Sequence, residues 1–193
     1  SLSTGTSTSS KTSAVTATTS KKTNKNNSNY FTSKDSDTSY NESSATKIKL
    51  SGLSADVSGD GAALSGSTVT ISKAGTYVIS GKSDGLQIKV DAGDSDDVHI
   101  VLDGVTMTNT NAAINATKAG HVYLTLKDGT TNTLSDSSSN SDEDADAVIF
   151  SKGDLTINGS GTLNIDAKKN NGIKANDSLH MTGGTNKISS VGD

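Results

Sequence analysis

The sequence predicts an all-β fold, a right-handed parallel β-helix with three short strands in each coil of about 24 residues, after a disordered N-terminal tail. Two observations support this prediction. Short runs that alternate apolar and polar residues are separated by Gly, Asn and Asp, and no stretch of helical period competes with them. Blocks of these runs also recur at a fixed spacing, which is the signature of a solenoid.

The N-terminal part of the chain lacks the apolar residues that a packed core needs. Residues 1–46 consist mainly of Ser, Thr, Lys and Asn, and the whole chain is only 30% hydrophobic. Such a segment buries too little apolar surface to offset the entropy lost on ordering. We therefore expect a disordered Ser/Thr-rich linker over residues 1–46 and the β-helix domain over residues 47–193.

The predicted strands follow one another through most of residues 47–193. They are residues 69–71, 77–79, 86–90, 98–102, 122–126, 155–157, 163–165 and 179–181. A doubly wound α/β sheet would need helical crossovers between these strands, and the sequence has no pattern for them. A β-sandwich stays open as an alternative, although a fixed internal period does not favour it.

The repeat is clearest where residues 149–159 are compared with residues 173–183. Ile149 then aligns with Ile173, and after a one-residue deletion Ile165 aligns with Ile188. The same spacing in the other direction aligns Val122, Leu124 and Leu126 with Val98, Ile100 and Leu102. In stacked coils such residues lie one strand spacing apart, about 4.8 Å.

A column of oxygen-bearing side chains follows from this alignment. Asn111, Asp146 and Asn170 stand three residues before the aligned Ile114, Ile149 and Ile173. A further offset of 23 residues from Asn170 reaches Asp193, which completes the predicted ladder. An acidic insertion within residues 135–144 precedes the second rung and adds Asp142 and Asp144. Calcium takes about six to eight oxygen ligands, so the ladder and the insertion together predict a calcium site.

A purely structural interpretation of the same residues stays open. Stacked Asn side chains also stabilise the corners of a β-helix through hydrogen bonds to one another, with no metal involved. An acidic loop is commonly no more than a solvated surface segment. The sequence alone does not decide between a calcium site and a structural ladder.

The charge distribution argues against nucleic acid as a partner. The net charge is −4, and the acidic residues cluster at residues 91–97 and 142–146. Binding to phosphates requires a basic footprint, which this chain lacks.

Several features suit a protein outside the cytoplasm. No apolar run approaches the length of a membrane span, and no signal segment precedes Ser1, so we expect a targeting peptide to have been removed. A Ser/Thr-rich tether before a β-rich domain is typical of a secreted or surface-anchored bacterial protein. We expect a lipid or cell-wall anchor, as in a lipoprotein, N-terminal to the tail.

The order of several segments resembles a family of secreted bacterial carbohydrate-binding parallel β-helices. The segments are TISKAGTYVISG, VHIVLDGVTMTN, SKGDLTINGSGTLNI and NNGIKANDSLHMTGG, within residues 71–193. The resemblance implies a fold similar to that of pectate lyases, calcium sites on the helix, and binding of cellulose or polygalacturonate. Asn170 and Asn171 are neutral where the family is often acidic. The family's helix continues with another coil beyond the position of Asp193, so the resemblance implies a domain truncated at its C-terminus.

The residues favour a binding protein over an enzyme. Pectate-lyase-like enzymes generally use an Arg base, and this chain contains no Arg. Paired carboxylates for a glycosidase are present, but nothing in the pattern separates an acid from a base. His99, His121 and His180 are interpreted as outward-facing sheet residues.

An acidic polysaccharide such as pectin is the expected ligand. The chain has no Trp, and the main aromatic candidates in the repeats are Tyr123 and Phe150. The sequence therefore offers few rings on which a neutral sugar could stack. Carboxylates of the ligand would complete a calcium shell or pair with Lys152, Lys168, Lys169 and Lys174. The first hypothesis is a non-catalytic, calcium-assisted polysaccharide binder. A structural adhesin or stalk is the alternative, and a polysaccharide lyase comes third.

Overall fold

The computed structural model describes residues 17–18 and 31–191, and it is all-β in this part of the chain. The only helical element among the described residues is a single 3-10 turn, Ser33–Ser36. The strands are β1 Ala17–Thr18, β2 Thr46–Gly52, β3 Ser54–Ser58, β4 Ala62–Ser65, β5 Thr68–Ile71, β6 Gly75–Asp84, β7 Gln87–Asp91, β8 Asp97–Thr108, β9 Ile114–Lys118, β10 His121–Leu126, β11 Thr131–Ser135, β12 Ala147–Ser151, β13 Asp154–Gly159, β14 Thr162–Ala167, β15 Asn171–Ala175, β16 Leu179–Met181 and β17 Thr185–Ser190.

The strands form two mixed sheets. The first sheet has 7 strands in the order β1-β15-β12-β9-β7-β5-β4. The second has 10 strands, with the path β16-β13-β10-β8-β11-β14-β17 and with β6, β2 and β3 joined to β8 one after another. Among the described strands, the pairs β2–β3 and β4–β5 are antiparallel and the other pairs are parallel.

The pairing registers confirm the alignments that the repeat predicts. Ile149 pairs with Ile173 on one side and with Ile114 on the other. Val122 pairs with Val98, and Ile165 pairs with Ile188. Because equivalent residues of successive repeats stand side by side, their apolar side chains form continuous buried columns.

The core lies between the sheets and is built from these columns. Ile114, Ile149 and Ile173 are all buried in one cluster with Ile100, Leu124 and Ile157. Burial of one such side chain contributes about 1.5–3 kcal/mol relative to exposure. The columns therefore hold neighbouring strands together through side chains as well as through backbone hydrogen bonds.

At one position of the second sheet, steric constraints require glycine. Gly81 lies in β6 with a φ of +93°, at the point where the register between β6 and β8 shifts. A Cβ at this position would collide with the backbone carbonyl of Leu50 on the neighbouring strand β2. Only glycine combines this backbone conformation with so close an approach.

Residues 31–40, which the sequence analysis assigns to the linker, lie against the second sheet. We call residues 31–40 the strap. It contains the 3-10 turn and places Asp35 in a buried position against β13. The packing was not visible in the composition because the strap is held mainly by polar contacts. Of residues 1–30, the structure describes only Ala17–Thr18, whose backbone pairs with β15.

The described chain has no helix with the length and apolar character needed to cross a membrane.

Candidate functional site

The predicted oxygen ladder occupies equivalent positions in the first sheet. Asn111, Asp146 and Asn170 each stand three residues before one of the paired isoleucines of β9, β12 and β15. The backbone N–H of Asn171 donates to the Asp146 carbonyl at 3.2 Å, which places the second and third rungs next to each other. Asp193, the fourth predicted rung, lies outside the described residues.

The ladder oxygens already accept hydrogen bonds from protein groups. Asp146 Oδ1 lies 2.9 Å from Lys174 Nζ in a half-buried ion pair. Asn111 Oδ1 accepts from the backbone N–H of Ser141 at 3.1 Å. These contacts tie the insertion to the corner of the sheet.

The insertion is a folded loop with buried polar anchors. Asp136 and Asn140 are buried, and the Asp136 carboxylate accepts from the Lys168 backbone N–H at 2.7 Å and from Asn140 Nδ2 at 3.1 Å. Within the loop, Asp142 Oδ1 accepts from the backbone N–H groups of Asp144 and Ala145, both at 3.1 Å. Sequence reasoning missed Asp136 and Asn140, because nothing distinguishes them from the polar residues around them.

The loop also covers an aromatic ring on the outside of the first sheet. Phe150 is buried in a small cluster with Ala112, Ala145 and Ala147. The ring that the sequence offers for sugar stacking is therefore covered by the protein itself.

The donor chemistry of this corner suits calcium, but its present arrangement does not. Carboxylate and amide oxygens are the ligands that calcium takes. Here, however, Lys174, Ser141 and the turn N–H groups occupy those oxygens. Among the described residues, no group of three or more His, Asp or Glu side chains is arranged to hold a metal ion.

The four predicted lysines differ in their surroundings. Lys152, Lys168 and Lys169 have exposed side chains, whereas Lys174 is half-buried. Lys169 Nζ donates to the Asn140 carbonyl at 2.6 Å, and Lys174 is engaged with Asp146. Lys152 and Lys168 are therefore the more accessible cations.

A second cluster of functional groups lies on the outer face of the second sheet. The pairing registers place His99, Tyr123, Thr156 and His180 side by side across β8, β10, β13 and β16. In the neighbouring column, Thr125 Oγ1 donates to Asn158 Oδ1 at 2.5 Å. Sequence analysis placed the histidines on an outward face but gave no signal that something covers them.

The strap covers this face through ring and ion contacts. Phe31 packs on His180 with ring centroids 4.8 Å apart, and Tyr40 meets His99 edge-on at 6.0 Å. Lys34 forms an ion pair with Asp97, and its Nζ lies 5.0 Å from the centre of the Tyr123 ring.

Asp35 is the centre of the contact between strap and sheet, and it is only 1% exposed. Its Oδ1 accepts from Thr156 Oγ1 at 2.6 Å and lies 3.2 Å from His180 Nδ1. Its Oδ2 accepts from the backbone N–H of Thr32 at 2.8 Å. Its backbone carbonyl accepts from Asn158 Nδ2 at 3.2 Å and from Thr182 Oγ1 at 2.8 Å. We call Thr156, Asn158, His180 and Thr182 the carboxylate pocket.

The ionisation of this cluster follows from burial and hydrogen bonding. Burial alone would raise the pKa of Asp35, but hydrogen bonds from Thr156 and Thr32 and the neighbouring His180 bring it below its ordinary value. Burial lowers the pKa of His121, which stacks on Tyr123 at 3.9 Å between ring centroids. Burial and nearby carboxylates raise the pKa of Tyr123 to about 12. At neutral pH the strap thus places a charged carboxylate against the hydroxyl, amide and imidazole groups of the pocket.

Comparison with known proteins gives a family match and a structural match. Residues 65–193 match the family described as carbohydrate-binding domain-containing protein. A protein of that description from Acetivibrio thermocellus is 40% identical over 131 residues, which cover 65% of this chain and 46% of that protein. The chain therefore spans about half the length of that relative.

A solved structure is also similar to this chain. It is the polysaccharide lyase-like protein from C. thermocellum, in a gadolinium derivative, and it superposes with a TM-score of 0.72 at 36% sequence identity. The match covers 75% of this chain and 61% of that one.

Proposed function

Because the chain belongs to the carbohydrate-binding domain family, we propose that it binds an acidic polysaccharide, such as polygalacturonate, without cleaving it. The observation that carries the proposal is the family match over residues 65–193, which contains every strand from β5 to β17. The solved relative is named polysaccharide lyase-like, which supports a polymer as the ligand.

The finer fold that we propose is a right-handed parallel β-helix. Three consecutive strands, β12, β13 and β14, each pair in parallel with the strand three places later, β15, β16 and β17. This order supports two successive coils of three strands each. The spacing between stacked strands is about 4.8 Å, close to the length of one sugar in an extended chain, so a solenoid suits a linear polymer.

The acidic character of the ligand is supported by accessible cations at the ends of strands, Lys152 directly after β12 of the first sheet and Lys168 directly after β14 of the second. Lys152 and Lys168 project exposed ammonium groups, which pair with carboxylates without first breaking an internal contact. The aromatic rings Tyr123 and Phe150 are both buried, so stacking of a neutral sugar on either ring would require a covering segment to move.

Binding without cleavage is supported by the chemistry of the side chains. A pectate-lyase-like reaction needs a base beside the sugar carboxylate, generally Arg, and the sequence contains none. A lysine base would need its pKa lowered by burial or by a cationic neighbour, and Lys152 is exposed.

We propose calcium as an accessory to binding at the Asp146 corner. The oxygens there have suitable chemistry, but Lys174 and backbone donors would first have to give way. The proposed location is the bacterial surface or the surrounding medium, where such polymers are met.

Calorimetric titration of the protein with polygalacturonate, with calcium and with chelator, tests this function. We expect heat of binding in calcium and weaker binding in chelator. The double substitution of Lys152 and Lys168 to Ala should weaken binding, while Lys49→Ala with Lys82→Ala, exposed lysines on other strands, controls for charge. Absence of heat in both conditions would contradict the binding function and leave the stalk hypothesis. Release of unsaturated sugar ends during incubation would instead identify a lyase.

A further inference from the structure

We propose that the outer face of β10, β13 and β16 holds a second binding site, specific for the carboxylate of a uronic acid, and that Asp35 of the strap occupies it as an internal substitute for that ligand. The inference takes its ligand class from the proposed function. It assigns this ligand to the carboxylate pocket, whereas the proposed function relies on Lys152 and Lys168.

The pocket is built to receive one carboxylate and one further oxygen. Thr156 Oγ1 donates to Asp35 Oδ1 at 2.6 Å, and His180 Nδ1 lies 3.2 Å from the same oxygen. Asn158 Nδ2 and Thr182 Oγ1 converge on the backbone carbonyl of Asp35, at 3.2 Å and 2.8 Å. A uronic acid carries the same two kinds of acceptor, a carboxylate and neighbouring hydroxyl oxygens. The donors that hold Asp35 therefore match the ligand group by group.

A flat surface for a sugar ring lies beside the pocket. Tyr123 and His121 are stacked in parallel at 3.9 Å, and Tyr123 is in register with Thr156 of the pocket. The strap covers this ring with the ammonium group of Lys34, 5.0 Å from the ring centre. When the strap is displaced, an aromatic face becomes available for the apolar C–H side of a sugar.

The strap is held in a way that a ligand can replace. Within the described chain, no strap residue belongs to the main hydrophobic core, and Phe31 remains 41% exposed. Its contacts with the sheet are hydrogen bonds, an ion pair and edge contacts between rings. Exchange of the strap for a uronate therefore costs little buried apolar area. The closed strap lowers the apparent affinity in proportion to the fraction of molecules that are open.

The test is calorimetric titration of the full chain with trigalacturonate, for the wild type and for Asp35→Ala. The substitution removes the carboxylate from the pocket and loosens the strap, so we expect binding about tenfold tighter than in the wild type. Asp37→Ala is the matched control, because it removes the same charge from an exposed side chain that caps Ser39 on the same strap and lies outside the carboxylate pocket. We expect no gain for Asp37→Ala. Addition of Thr156→Val to Asp35→Ala should abolish the gain.

The outcomes separate the pocket from the proposed function. If the wild type binds trigalacturonate and Asp35→Ala binds no better than Asp37→Ala, the pocket is overturned while the proposed function stands. If no variant binds acidic oligomers or polygalacturonate, both fall. An equal gain for neutral cellotriose would overturn the specificity for carboxylates.

A second variant covers the case in which Asp35→Ala does not fold, as judged by circular dichroism. Asp35→Asn keeps an oxygen for Thr156 but removes the charge that His180 faces. We expect a smaller gain in affinity than for Asp35→Ala, and the absence of any gain in a folded Asp35→Asn would overturn the proposal.

Discussion

At the scale of single residues, the partner of Asp146 decides whether the Asp146 corner is a cation site. Lys174 Nζ lies 2.9 Å from its carboxylate, with both side chains about one-third exposed or less. An ammonium group in that position occupies the place that a cation would take. The lysine and a calcium ion therefore compete for the same oxygen.

We predict that Lys174→Met raises the affinity for calcium by about tenfold, which corresponds to about 1.4 kcal/mol. Methionine keeps the length of the side chain while it frees the Asp146 carboxylate. Calorimetry with calcium chloride measures the change. Lys152→Met is the matched control, since it removes one exposed lysine charge elsewhere, and Asp146→Asn in the Lys174→Met background should cancel the gain. Equal calcium affinity in the two lysine variants would contradict a site at Asp146.

Because histidines lie beneath the strap, we predict that the folded protein loses stability in mild acid. Burial lowers the pKa of His99 and of His121 below the ordinary 6.5, so both are neutral when folded. The unfolded chain then binds more protons, and stability is fully present above about pH 6.5 and is lost as pH falls through the folded pKa values. His121 faces Thr156, the carboxylates of Asp35, Asp97 and Asp154, and His180. His99 faces Thr125, Asp37 and Lys34.

Urea unfolding between pH 7.5 and pH 5 measures this effect. We expect the unfolding free energy to fall over that range and to fall less steeply in His121→Gln, whose amide retains a partner for Thr156. Asp35 acts in a lower window, since its lowered pKa contributes stability above about pH 3.8 that is lost below it. A flat profile between pH 7.5 and pH 5 would contradict the buried neutral histidines.

At the scale of strands, stability depends on the stacked columns of the core. Ile149 lies between Ile114 and Ile173 in adjacent strands, and all three are buried. We predict that Ile149→Ala lowers the unfolding free energy by about 2–5 kcal/mol, because it leaves a cavity between two neighbours. Denaturant unfolding measures it. Lys152→Ala, exposed just beyond the same strand, should change stability by no more than about 0.5 kcal/mol.

The registers of the repeated strands were accessible from the sequence because aliphatic side chains recur at their buried positions. The hairpin strands β2, β3 and β4 and the strand β11 were missed, because they lie outside the blocks that were aligned. Ile149, Ile173 and Ile114 could be aligned on their identity alone, and the structure pairs them as predicted. The same alignment placed Asn111, Asp146 and Asn170 at equivalent positions. What it could not supply was their partners, because the contact of Lys174 with Asp146 depends on side-chain direction at a corner.

The strap escaped prediction for a different reason. Its composition matches that of a linker, and Asp35 is held by Thr156 and Thr182, which lie 121 and 147 residues away in the chain. A pattern among neighbouring residues in the sequence cannot indicate contacts between residues so far apart in the chain. The carboxylate pocket is likewise assembled from outward positions of β13 and β16, where Thr, Asn and His are ordinary residues for a solvated face.

At the scale of the whole molecule, the stacked strands of the first sheet present a face about 20 Å long from β5 to β15. A linear polymer that lies along this face gains contacts with each added sugar until it reaches the end. We predict that affinity for oligogalacturonates rises with oligomer length and reaches a plateau once the oligomer spans the stacked strands. Calorimetry across a length series measures this. An affinity independent of length from the dimer upward would instead indicate a single end-binding pocket.

The contacts of the strap also determine the order in which parts of the chain fold during synthesis. Residues 31–40 leave the ribosome early, yet the hydroxyls and ring that receive them belong to β13, β16 and the turn after it. Long-range closure of this kind is slow compared with pairing of strands that are close in sequence. The strap is therefore synthesised before β13 and β16 but docks only after these strands are in place.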